Sequence, residues 1–487
     1  MGFIVYDIET SGRERRFDQI LQFAAIHADD ALTETAAVDL RCRRLPHVIP
    51  SPGALLVNRI RPDDLDGAPL SHLDLVRAML DWVRPRLPAV FLGHNILRFD
   101  EPFLRHALYR TLHPVYLTNT NGNVRADTLR IAHAVHAVAP GAIAVPTTEE
   151  GKPTFALGPL LRANGVDFDP EAAHDALADV RGTLALGRLL KDRAPAVWDR
   201  MIANAAKARV HAFLRERAGY VLVEAVGSTV SARVVAPCGT VPGRDSTALV
   251  FDLAADPAPY RAMDTADLAA AVAAGRPFVR VRLNEQPGLF RIDEAQHVAA
   301  ATGVPFDELR RRGTAIVKDE GFHARIGAAL ATLATPPVPS DLVEDRMYEG
   351  FPSRADERRR DVFHTLPWAE RHAHCAAFED DRLAELGVRL IHAERPDLLP
   401  RDVRADLDRT WAERLLSPDP SVPWTTIAKA RSEVANLILG HPDNENWFVG
   451  YVIWLDHLIE LLAEAVPVPH RTLISALSQA RGIGQSN

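Results

Sequence analysis

The chain has 487 residues, 47% of them hydrophobic and 25% charged, with a formal net charge of -8. A chain this long exceeds what one hydrophobic core serves, so more than one domain is expected, and the composition excludes a disordered protein. The negative balance excludes binding nucleic acid through bulk positive charge and leaves only local clusters, such as Arg13 with Arg15 and Arg16, Arg41 with Arg43 and Arg44, and Arg310 to Arg312. Cys42, Cys238 and Cys375 lie far apart with no Cys-x-x-Cys pair, which argues against a disulfide framework or a zinc ribbon and suits a reducing cytoplasm. No basic-then-apolar leader precedes Phe3, and no apolar run approaches the roughly 18 residues of a membrane span, so neither export nor membrane insertion is expected.

Along the chain, Phe3 to Glu9, Ile20 to His27 and Ala36 to Cys42 have the β-branched and apolar content of strands. The period then changes. Leu73 to Val83 has helical spacing, Ala89 to Gly93 reads as a short buried strand, and Phe103 to Tyr109 begins another helix. Further helices are predicted over Asp127 to Val138, Ala156 to Asn164 and Asp175 to Lys191, giving a mixed α/β sheet with helical cover.

A second texture follows, with strands predicted at Tyr220 to Val226, Ser231 to Ala236, Ala248 to Leu253 and Phe278 to Leu283, and helices at Thr265 to Ala274 and Gly321 to Leu333. Pro336, Pro337 and Pro339 predict an extended linker. After Phe351 the pattern is helical, as over Asp380 to Glu394, Arg404 to Leu416, Ile427 to Leu439 and Tyr451 to Ala465. The expected division is an α/β domain over 1–192, a β-rich domain over 196–346 and an all-α domain over 351–487.

Chemistry is concentrated in three segments. Asp7 and Glu9 stand two residues apart on the first strand, so they project to one face, where two like charges invite a hard divalent cation. The Gly93-His94-Asn95-Ile96-Leu97-Arg98-Phe99-Asp100 stretch places an acid where a helix begins; on its own Asp100 reads as a helix cap. In His174-Asp175-Ala176-Leu177-Ala178-Asp179, Asp175 is the natural cap, which leaves Asp179 without a capping role.

Together these segments resemble the DEDDh exonuclease superfamily, and within it the bacterial exodeoxyribonuclease I family. Gln22 to Ile26, Asn121-Gly122-Asn123, Ala163-Asn164-Gly165 and Met347-Tyr348-Glu349-Gly350-Phe351 carry the resemblance beyond the acids, over essentially the whole chain. It implies a ribonuclease H-like exonuclease domain, an SH3-like β-rich domain and a helical C-terminal domain. The implied activity is removal of 5'-mononucleotides from the 3' end of single-stranded DNA, in repair and recombination. Asp7, Glu9, Asp100 and Asp179 match the four acids, and His174 the catalytic histidine.

The resemblance further implies two Mg²⁺ ions, with Mn²⁺ as a substitute. Asp7 would bridge the ions, Glu9 and Asp179 would complete one, Asp100 would serve the other, and His174 would take the proton of the attacking water; an imidazole with an ordinary pKa near 6.5 suits that task. The backbone around Thr10 and Ser11 is expected to contact the terminal nucleotide, with Asn95 and Phe99 shaping its pocket, and Ser11 stands where the family carries an aromatic residue. Arg125 is the expected phosphate contact, and Asp18 and Asp127 are read as structural acids. The expected partners are single-stranded DNA ends and the acidic tail of single-stranded DNA-binding protein, the latter near Arg310 to Arg312 and Lys318. The enzyme implied is a cytoplasmic monomer acting at the nucleoid. A DEDDh exoribonuclease and a catalytically silent single-strand binder are the alternatives.

Overall fold

In the computed structural model, residues 1–168, 175–241, 243–335 and 338–465 are described; His174, Pro336 and Pro337 lie outside them. The first region is built on β1 (Phe3–Thr10), β2 (Ile20–Ala28), β3 (Glu34–Arg41), β4 (Val90–Gly93) and β5 (Val124–Asp127), in the order β3-β2-β1-β4-β5. β1 pairs antiparallel with β2 and parallel with β4, so it lies in the centre of the sheet with its acids at its C-terminal end. Its sequence alternates between two cores: Phe3 and Val5 face one, Ile4, Tyr6 and Ile8 the other.

The helices of this region are α1 (Pro52–Val57), α2 (Pro62–Gly67), α3 (His72–Val83), α4 (Asp100–Arg110), α5 (Thr128–Val138), α6 (Leu157–Ala163) and α7 (Ala176–Arg193). The predicted strands and helices are present within a few residues of their expected bounds. α1, α2 and β5 are absent from the sequence reading, β5 because Asp127 ends the strand and also caps α5, accepting from the Leu129 amide at 3.0 Å.

Next come α8 (Pro195–Asn204) and α9 (Lys207–Phe213), then a second sheet of β6 (Tyr220–Val226), β7 (Thr229–Val241), β8 (Arg244–Asp252), β9 (Phe278–Arg282) and β10 (Gly288–Arg291). Its order is β10-β6-β7-β8-β9, antiparallel throughout, consistent with an SH3-like domain. α10 (Ala258–Ala262), α11 (Thr265–Ala274), α12 (Gln296–Ala301), α13 (Phe306–Val317) and α14 (Glu320–Thr332) accompany it. α13 is unpredicted because Arg310 to Arg312 hide its narrow apolar stripe, which is Leu309, Gly313 and Ile316. α8 packs on α5 and α7 as well as on β10, so one continuous core joins the two sheets.

The helical region contains α15 (Arg354–Thr365), α16 (Trp368–Cys375), α17 (Asp381–Glu394), α18 (Arg401–Leu416), α19 (Ile427–Leu437) and α20 (Glu445–Ala465). It packs back onto the first region in two places. Val343, Phe363 and Leu390 share a core with Leu73 and Leu112, while Val434, Tyr451 and Leu455 share another with Ile49 and Leu55. All three cysteines are free and buried, and among the described residues no helix is long and apolar enough to cross a membrane.

Candidate active site

The C-terminal end of β1, the start of α4 and the first turn of α7 converge on one cleft of about 1420 Å³, lined by Asp7, Glu9, Thr10, Asn95, Phe99, Asp100 and Asp179 among others. Carboxylate oxygens of Asp7, Glu9 and Asp179 all lie within 4.8 Å of one another. Asp100 is buried beside them, its Oδ1 accepting from the Ile8 amide at 3.2 Å on the strand between the two β1 acids. It is the first residue of α4 rather than its cap; the cap position belongs to Phe99, whose side chain makes no capping bond. Asp175 does cap α7, accepting from the Ala178 amide at 3.2 Å, which leaves Asp179 one turn in and facing the cleft.

Like charges in a buried setting resist ionisation. Burial pushes the Glu9 carboxyl up to about 8, helped by Asp179 and Asp100, with Arg41 opposing. Burial likewise pushes Asp100 up to about 7, and burial with the repulsion of Asp100, Glu9 and Asp179 raises Asp7 well above the carboxylate range. A site that holds Asp7, Glu9 and Asp100 buried and this close has a donor set of hard oxygens and strong mutual repulsion. Both features fit divalent ions such as Mg²⁺, and the absence of sulfur ligands fits them too.

The loop leading to Asp100 is held by a second acid. Asp127 accepts from the Asn95 amide at 2.8 Å and from the Leu97 amide at 3.2 Å, which fixes Asn95 in the left-handed region at φ 68°. This is the structural role expected of Asp127. Asp18 is structural as well, accepting from Ser11 Oγ at 3.0 Å and from the Glu14 amide at 2.8 Å. His94, which also lines the cleft, pairs through Nδ1 with Thr128 Oγ1 and through Nε2 with the Phe155 carbonyl, both at 3.0 Å. Both ring nitrogens are therefore engaged, and burial lowers its pKa.

Two expected substrate contacts lie elsewhere. The Ser11 side chain is fully buried on Asp18, its amide donates to the Gln19 carbonyl and its carbonyl accepts from the Ser51 amide, so Ser11 braces the cleft rather than lining it. Arg125 is buried, bonded to Glu101 at 3.1 Å and to the Asn284 carbonyl at 3.0 Å. These partners hold the guanidinium inside the protein, where it ties the first sheet to the second region. Thr10, Asn95 and Phe99 do line the cleft.

The sequence reading misses residues 51–59, whose Gly53, Ala54, Leu56, Val57 and Asn58 form another wall of the cleft; Asn58 Nδ2 donates to the Thr10 carbonyl at 2.9 Å. Ser51-Pro52 is a helix-start signal that could have located this segment, since Ser51 Oγ caps α1 and Pro52 suits its first turn. It also misses Thr425, Glu433 and Leu437, which reach the cleft from the helical region more than 240 residues further along the chain.

A second hollow of about 320 Å³, sharing Asn95 and Asp127, runs from this loop to the second sheet and is lined by Arg98, Arg130, Arg280 and Arg282. Arg98 and Arg280 are exposed and make no ion pair among the described residues, whereas Arg130 and Arg282 pair with Glu285.

Comparison with known proteins agrees with this geometry. The exonuclease family model matches residues 4–186 and the exonuclease I C-terminal domain matches residues 341–451. Exodeoxyribonuclease I of Haemophilus influenzae is 27% identical over 409 residues, which are 79% of this chain and 84% of that protein. Exonuclease I of Methylocaldum szegediense superposes with a TM-score of 0.81 at 25% identity, covering 95% of this chain and 99% of that one. Escherichia coli exonuclease I in complex with a dT13 oligonucleotide gives 0.80 at 24% identity, covering 96% and 100%. With the acids of the exonuclease region gathered in one cleft and both ends of the chain matched, the chain belongs to the exodeoxyribonuclease I family.

Proposed function

We propose that Asp7, Glu9, Asp100 and Asp179 hold two Mg²⁺ ions, that His174 is the general base, and that the cleft they form removes 5'-mononucleotides from the 3' end of single-stranded DNA. The observation that carries this reading is the approach of the Asp7, Glu9 and Asp179 oxygens within 4.8 Å, with Asp100 buried beside them. Two bound divalent ions supply charge neutralisation at the phosphoryl oxygens and a water acidified toward neutral pH. Asp179 is positioned by α7, and Asp7 and Glu9 by a central strand, so the acids sit on rigid elements and lose little by reorganising. His174 directly precedes the α7 cap Asp175 and accepts the proton of the attacking water.

The single strand passes from the cleft over Asn95 into the arginine-lined hollow, where Arg98 and Arg280 contact phosphates. The three domains divide at 1–192, 196–346 and 351–487. The acidic tail of single-stranded DNA-binding protein docks at a hollow of about 1030 Å³ lined by Arg310, Arg311 and Lys318, where it competes with Asp307, Asp319 and Glu320 on the same wall. Arg312 is not part of it, because its guanidinium donates to the Leu253 and Ala254 carbonyls.

The test uses a single-stranded DNA, its duplex and an RNA of the same sequence, each with Mg²⁺ or EDTA, for the wild type and for Asp179→Ala. Mg²⁺-dependent mononucleotide release from the DNA strand, lost in the variant, is expected. Faster release from RNA favours an exoribonuclease, tight DNA binding without release a silent binder, and activity surviving in Asp179→Ala overturns the site.

A further inference from the structure

The cleft wall formed by residues 51–58 is seated by the C-terminal region. Glu433, on α19, accepts through Oε1 from Ser51 Oγ at 2.8 Å and from the Gly53 amide at 3.1 Å. The same Ser51 Oγ accepts from the Ala54 amide at 3.2 Å, and the Ser51 amide donates to the Ser11 carbonyl at 2.7 Å. A Cβ on Gly53 would stand 2.7 Å from Glu433 Oε1, so the two segments meet as closely as a glycine allows. Tyr451 Oη donates to the Pro50 carbonyl, and Leu55 is fully buried among Ile427, Ala430 and Val434. At its far end the segment is tied back to the metal side by Asn58 and Thr10. Leu56 and Val57, between these anchors, present apolar surface to the cleft facing its acids; Val57 is 47% exposed. An aliphatic wall grips the face of any base without reading its edge, which suits a nuclease indifferent to sequence.

We propose that Glu433 is a positioning residue for the exonuclease reaction: it holds the 51–58 segment so that Leu56 and Val57 pack on the terminal nucleotide. The C-terminal region thereby completes a pocket whose chemistry lies in the first region. This inference rests on the exonuclease reading of the cleft. Glu433 touches neither the scissile phosphate nor its ions in this role; it acts through Ser51 and Gly53.

The experiment compares wild type, Glu433→Ala, Glu433→Gln and Val57→Ser on single strands ending in a normal or an abasic 3' nucleotide. KM and kcat are measured, together with binding of Mn²⁺ alone by electron paramagnetic resonance. Glu433→Ala is expected to raise KM, to lose about tenfold in kcat/KM on the normal end and to discriminate poorly against the abasic end, with Mn²⁺ binding intact. Glu433→Gln keeps an Oε1 that accepts both bonds and is expected to behave as wild type. Val57→Ser, at a half-exposed position that leaves the fold undisturbed, is expected to lose the same preference for a base. Unchanged discrimination in Glu433→Ala or in Val57→Ser overturns the proposal, and so does a Glu433→Gln variant as impaired as Glu433→Ala, which would mark the charge as what matters. A wild type that releases no nucleotide at all would overturn the exonuclease reading itself, a result distinguishable from these because it precedes any variant.

Discussion

Asp100 and Glu101 are adjacent, both are buried, and their environments treat them in opposite ways. Asp100 lies in the cleft with Asp7, Glu9 and Asp179, and burial, with Asp127 and Glu101 adding to it, pushes it up to about 7. Glu101 points to the other side of α4, where burial alone would raise it but Arg125 and Arg105 draw it below its ordinary value. Its Oε1 takes Arg105 at 2.9 Å, Arg125 at 3.1 Å and Thr118 at 2.6 Å. Glu344, between Arg389 at 3.0 Å and Arg414 at 2.8 Å, belongs with Glu101: burial opposes its ionisation, yet the two guanidiniums hold it down at about 2. Burial therefore does not separate the functional acids from the structural ones. Fixed counter-charges outweigh burial at Glu101 and Glu344, whereas at Asp7, Glu9 and Asp100 neighbouring acids add to it, an arrangement that suits a divalent cation.

The largest effect expected from breaking this contrast is on activity. Asp100→Asn keeps an oxygen for the Ile8 amide but removes one charge from the cation site, and kcat on single-stranded DNA should fall by about 10³-fold or more, the equivalent of several kcal/mol of charge stabilisation. Glu101→Gln should behave differently. It strands two buried guanidiniums, so a loss of about 3–5 kcal/mol in unfolding free energy is expected, read by urea titration, while the folded fraction retains its turnover. Were the neighbours to exchange these phenotypes, the division between catalytic and structural acids would fail.

The same division predicts opposite responses to pH in the metal-free protein. Glu9 has a folded pKa near 8 against an ordinary 4.5, so between these values the native state holds more protons than the unfolded one, and stability falls as pH rises through that window. Glu101 has the reverse sign: its depressed folded pKa contributes stability above 4.5 that is lost as pH falls below that value. Glu9→Gln should flatten the fall between about pH 4.5 and 8 and raise the metal-free midpoint by about 2–4 °C at neutral pH, on the order of 1 kcal/mol. Added Mg²⁺ should stabilise the wild type and not this variant, as differential scanning fluorimetry would show.

How much of this was legible in the sequence follows from the range of each interaction. Asp7 and Glu9 share a face because a strand has period two, and Asp175 caps a helix because of its place before an apolar run; both are local facts and both appear in the structure. That Asp100 is more than a cap is decided by a partner 92 residues away, the Ile8 amide. Arg125 went astray for the same reason: its neighbours Asn121 to Asn123 match the family, but its partners Glu101 and Asn284 are distant in sequence, and only they decide that it faces inward. Glu433 left no local trace, since nothing in an α19 sequence declares which loop its solvent-side acid will meet.

Arginines repeat the contrast with smaller stakes. Arg125 and Arg105 are consumed by Glu101, so removing either costs stability and leaves the salt dependence of DNA binding as it was. Arg98 and Arg280 are exposed in the hollow that continues the cleft and have no acid partner among the described residues. Each phosphate neutralised on a single strand releases condensed counterion, so each arginine lost should reduce the slope of log K against log salt by about 0.7. Arg98→Ala and Arg280→Ala are expected to do so singly and additively, with little change in kcat at saturating DNA, in fluorescence-anisotropy titrations of a labelled oligonucleotide from low to moderate salt. A slope unchanged in both variants would place the strand elsewhere on the protein; a slope changed only in Arg98→Ala would confine it to the first region and detach the second sheet from the path.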